Sequence, residues 1–149
     1  MEIIVIGPEI PCIRCTTTSD RAAEIAGQFP EANIQTRKAV AHSPDIEKYG
    51  KVECGHEIES IGNVYPDFDH MRAVFAELDV LEIDKEKNAD EIDRLLKELD
   101  EVVGPVRRRA EELGYLMTPV VVVNNKVKSA GYVPALEEMR QWVVSELAE

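Results

Sequence analysis

The 149-residue sequence predicts an α/β fold, and three observations carry that prediction. The first 42 residues read strand–helix–strand. The last 35 read strand–strand–helix. An acidic, helix-patterned stretch lies between them.

The opening run Glu2-Ile3-Ile4-Val5-Ile6 is almost entirely aliphatic, which predicts a short buried strand that Gly7-Pro8 ends. From Cys15 to Gln28 the residues Ala22, Ala23, Ile25 and Ala26 fall on one helical face, and Gly27 marks the end. Ile34, Thr36, Lys38 and Val40 then recur with period two, predicting a second strand. In the middle, residues 66–81 carry Phe68, Met71, Val74, Phe75 and Leu78 on one helical side. Residues 88–103 do the same with Ile92, Leu95, Leu96, Leu99, Val102 and Val103. Gly104-Pro105 interrupts, and residues 106–114 add a further turn or two of helix. Toward the end, four valines at 120–123, Asn124-Asn125-Lys126 and then Val127-Lys128-Ser129 predict a β-hairpin that Gly131 closes. Pro134 begins a final helix whose apolar positions are Leu136, Met139, Trp142, Val143 and Leu147.

Hydrophobic residues make up 44 % of the chain and charged residues 31 %, a globular composition. The net charge is −12, and residues 67–104 hold 13 acidic and 5 basic side chains, a local balance of −8. Such a surface repels nucleic acid and anionic membranes, which are bound through Lys and Arg. No stretch approaches the roughly 20 apolar residues of a membrane span. The first residues lack the basic region of a secretory signal, so the expected location is cytoplasmic. The count of three cysteines suits a structural disulfide framework poorly.

Two of those cysteines form the motif Pro11-Cys12-Ile13-Arg14-Cys15, which has three readings: a redox dithiol, half of a metal site, or a pair without a role. Its place after a strand and at the start of a helix favours redox chemistry. A helix N-terminus offers free N–H groups and partial positive charge, which lower a thiol pKa. On that geometry Cys12 is the exposed cysteine that attacks a disulfide, and Cys15, one turn further in, resolves the mixed disulfide. Arg14 adds a positive charge favouring thiolate, and Pro11 stiffens the approach.

The chain resembles the thioredoxin superfamily, and within it the small redox-active disulfide or glutaredoxin-like proteins. The resemblance rests on the strand EIIVIG, on PCIRC leading into a helix, on Thr118-Pro119 opening the strand VVVV, and on the hairpin NNKVKSAG before the last helix. It covers residues 1–42 and 105–147. It implies a single thioredoxin-like domain over 1–149, with a four-stranded mixed sheet, flanking helices and an inserted acidic helical segment at 43–104. It implies Cys12 as nucleophile, Cys15 as resolving thiol and Pro119 as a cis-proline. Pro11, Ile13, Arg14, Thr118 and Pro119 would contact substrate, the Thr118 backbone pairing with an extended peptide. The implied partners are a protein or small-molecule disulfide and a dithiol or reductase donor, with no cofactor. The chain departs from thioredoxin in having Ile13-Arg14 between the cysteines, no tryptophan before Cys12, and the extra segment.

Two other readings come from different classes. Cys54 and His56 could join Cys12 and Cys15 in a four-ligand zinc site, although no second close ligand pair supports it. Alternatively, the inserted helices could form a homodimer on a thioredoxin-like scaffold. His42 and His70 read as surface residues. Arg107-Arg108-Arg109 reads as pairing with acids such as Glu111 and Glu112. Trp142 reads as core.

Overall fold

A computed structural model describes residues 1–10 and 12–149. The chain divides into two compact units, one formed by Met1–Cys54 with Gly114–Glu149, the other by Gly55–Leu113.

The first unit is built on a mixed four-stranded sheet. Its strands are β1 (Glu2–Gly7), β2 (Gln35–Val40), β5 (Val120–Val123) and β6 (Lys126–Ala130), in the order β2-β1-β5-β6. Strands β1 and β2 are parallel, joined through helix α1 (Ile13–Gly27). The β1–β5 and β5–β6 pairs are antiparallel. The unbroken aliphatic runs of β1 and β5 follow from burial on both faces. Ile3, Val5, Val121 and Val123 point to one face, where they pack with Ala22 and Ile25 of α1 and with Met139 and Val143 of helix α6 (Leu136–Leu147). Ile4, Ile6, Val120 and Val122 point to the other, against Ala39, Ala41, Ile46 and Val52. Asn124 and Asn125 both have positive φ, the backbone a two-residue hairpin turn demands.

Strand β2 spans the stretch the alternation predicts and lies at the sheet edge, but its buried residue is Ala39, between the alternating positions, and Val40 is 42 % exposed. Trp142 is half-buried against the α1-side core.

The sequence suggested a helical segment over 43–104, but residues 43–54 belong to the first unit. They form a 3-10 turn (Pro44–Tyr49) and strand β3 (Lys51–Glu53), which pairs in parallel with β4 (Tyr115–Met117) as a separate two-stranded sheet. Ile46 and Val52 draw this stretch onto the sheet core.

The second unit is helical: α2 (Gly55–Gly62), α3 (Phe68–Leu81), α4 (Ala89–Val102) and α5 (Gly104–Leu113). Val74, Leu78, Leu95, Leu96, Leu99 and Val102 are buried, as the helical spacing requires, whereas Phe68 stays exposed. Asp67 caps α3, its carboxylate accepting from the His70 N–H. Gly62 lets α5 approach closely, since a Cβ there would lie 2.6 Å from Arg109 Cγ. Two arginines of the cluster pair as the charge pattern suggested, Arg107 with Glu111 at 3.7 Å and Arg109 with Glu112 at 2.9 Å. Among the described residues, no helix is long and apolar enough to cross a membrane.

Candidate functional site

The chain leaves β1 at Gly7 and enters α1 with Cys12 at its N-cap position, in extended backbone. A cap residue has its side chain beside the first free N–H groups of the helix. The Cys12 side chain makes no capping hydrogen bond, but the nearby N–H groups of Cys15 and Arg14 favour its thiolate. Cys15 sits one turn on, its Sγ 3.4 Å from that of Cys12. It is only 6 % exposed, whereas Cys12 is half-buried. Gly7 makes room for it, because a Cβ at position 7 would stand 3.3 Å from both Cβ and Sγ of Cys15.

The two thiols are driven in opposite directions. The Cys12 thiol falls from 9.0 to about 6. The main cause is the hydrogen bond from the Cys15 thiol, followed by the Cys15 N–H, the Arg14 charge and the Arg14 N–H, with burial opposing them. The Cys15 thiol is pushed far up, first because it donates that hydrogen bond, then by burial and by the negative charge on Cys12. One proton is therefore shared by the pair and resides on the inner sulfur.

Arg14 does not stand open between the cysteines. It is 7 % exposed, and its guanidinium donates to the carbonyl of Gly131 beyond the end of β6, where positive φ suits glycine. It thus serves as a fixed cation beneath the sulfurs. Its own carbonyl accepts from the buried Thr18 hydroxyl at 2.7 Å.

Thr118 and Pro119 come to the same place from the far end of the chain. Their peptide bond is cis. Thr118 is 3 % exposed, and its side chain favours the charged form of Cys15. Its backbone N–H donates to the Glu53 carbonyl at 3.0 Å, an engagement with β3 that no local sequence signal announces. Ile13, the first residue of α1, is half-buried, and Pro11 lies outside the described residues.

Among the described residues, no group of three or more His, Cys, Asp or Glu side chains is placed to hold a metal ion. Cys54 follows β3 and is half-buried, and His56 is exposed on α2. His42 bonds Glu53 at 3.2 Å and His70 bonds Glu98 at 2.8 Å, both at the surface.

The arrangement can hold one sulfur as thiolate at neutral pH, with a second thiol in contact behind it. No protein-family model, curated protein or solved structure matches this chain.

Proposed function

We propose that this chain is a thiol–disulfide oxidoreductase of thioredoxin-like fold, with α2–α5 as an insertion in it. The observation that carries the reading is the sulfur pair at the start of α1, 3.4 Å apart, with the outer thiol lowered to about 6 and the inner one raised. The sheet order β2-β1-β5-β6, with α1 linking parallel strands and Thr118-Pro119 entering β5 beside Cys15, supports the fold assignment.

The chemistry follows from the charges. The Cys12 thiolate attacks one sulfur of a substrate disulfide, forming a mixed disulfide and expelling the other sulfur as thiolate, which takes up a proton. Cys12 then carries no charge. The hydrogen bond and the repulsion that held the Cys15 proton both vanish, while the Arg14 charge and the Thr118 hydroxyl still favour a Cys15 thiolate. Cys15 loses its proton, attacks Cys12 Sγ and releases the second substrate thiolate. The chain ends with a Cys12–Cys15 disulfide, oxidised by two electrons, and the substrate is reduced by two. A disulfide needs about 2.05 Å between sulfurs, so the pair closes by about 1.4 Å. A dithiol donor reverses the sequence.

The test is a dithiothreitol redox titration of the whole chain, followed by mass spectrometry of the peptides around Cys12 and Cys15. A reversible two-electron Cys12–Cys15 disulfide is expected. Failure of that disulfide to form under oxidising buffer overturns the reading.

A further inference from the structure

An extended peptide pairing with the Thr118 backbone, as the resemblance implies, would need an edge that is already occupied. Strand β3 runs along β4 in the register Lys51↔Tyr115, Val52↔Leu116 and Glu53↔Met117, and the ladder continues one step as the Thr118 N–H donates to Glu53. A strand edge accepts only one neighbour, because each N–H points to one side.

Side chains hold β3 there. Val52 is buried in the core with Ile46 and Val120. Lys51 Nζ lies 5.9 Å from the centre of the Tyr115 ring, and Glu53 bonds His42. Displacing β3 would expose Val52 and strip the Thr118 N–H, itself in a buried residue, of its acceptor.

We propose that β3 fills from within the chain the edge that a peptide substrate would otherwise use, so the redox site takes low-molecular-weight disulfides. The inference rests on the redox reading above. A small disulfide needs only access to the half-buried Cys12 sulfur, and main-chain pairing gives a peptide no advantage.

Two reactants sharing one leaving thiol test this: hydroxyethyl disulfide, and a linear cysteine peptide in mixed disulfide with 2-mercaptoethanol. Stopped-flow oxidation of the fully reduced chain by each is compared. Main-chain pairing through two hydrogen bonds would speed the peptide by about fivefold or more, so a peptide advantage below about fivefold is expected and a larger one overturns the inference. The NMR scalar coupling across the Thr118 hydrogen bond supplies a second readout, using the peptide trapped on Cys12 in Cys15→Ser. The Thr118 amide is expected to keep coupling to the Glu53 carbonyl carbon. Transfer of that hydrogen bond to a peptide carbonyl overturns the inference while leaving the redox reading intact. If neither disulfide oxidises the pair, the redox reading itself fails.

Discussion

Replacing Cys15 with alanine removes the largest influence on the Cys12 thiol, and the consequence can be worked through. The drop from 9.0 to about 6 corresponds to about 4 kcal/mol favouring the thiolate, at 1.36 kcal/mol per pH unit. At pH 7 Cys12 is then about 90 % thiolate, against about 1 % for an unperturbed thiol. A more acidic thiolate is also a weaker nucleophile. With a Brønsted slope of about 0.45, the drop costs roughly 20-fold in intrinsic reactivity. The net gain over an ordinary cysteine is therefore only about fourfold at pH 7, but about 40-fold at pH 5, where an ordinary thiol is almost wholly protonated. The assay is the iodoacetamide alkylation rate of Cys12 against pH, read by peptide mass in a Cys54→Ser background. The wild-type midpoint is expected near 6, and in Cys15→Ala it moves up past about 7, since the backbone N–H groups and Arg14 still act. A wild-type midpoint at about 8 or above, or one that Cys15→Ala leaves unmoved, would refute the reasoning.

Other consequences test other parts of the molecule. Arg14→Gln should also raise the Cys12 alkylation midpoint, but by less than Cys15→Ala, because its charge ranks below the Cys15 thiol and N–H; a larger shift would reverse that order. Glu146 on α6 is 2 % exposed and accepts from Lys128, Asn124 and Lys126, which together pull its carboxyl from 4.5 down to about 2. Its folded value lies below its unfolded one, so it stabilises the fold above about pH 4.5, and that stabilisation fades as pH falls through about 2. Urea midpoints measured between those pH values should fall more steeply for wild type than for Glu146→Gln. Gly62→Ala should cost about 1–3 kcal/mol in thermal or urea unfolding by forcing Arg109 off α2, and an unchanged midpoint would show that the helices have room to separate.

Much of this architecture was legible because the signals are local. The run Ile3–Ile6, the helical spacing from Ala22 to Ile25 and the paired asparagines of the hairpin each encode an element within a few residues. The leucine stripe of α4 is equally self-contained, and four of its six expected apolar positions are buried. Phe68 shows the limit, since spacing names a face without saying how far along the helix burial extends. The stretch 51–53 shows another. Three residues with one buried side chain carry no strand pattern, and their pairing partner is Tyr115–Met117, far along the chain.

The sequence by itself determined which residues could do chemistry: two cysteines one helical turn apart, following a strand, with a charge between them. It also determined β1, β2, β5, β6 and helices α1 and α3 to α6, because backbone propensity and apolar period act between near neighbours. The tertiary structure alone decided what surrounds those sulfurs. It turned Arg14 inward onto Gly131, buried Thr118 near Cys15, and laid β3 along the edge at Thr118. Those outcomes depend on contacts between residues distant in the chain, where burial of Val52 and satisfaction of one buried N–H outweigh any preference written in the local sequence.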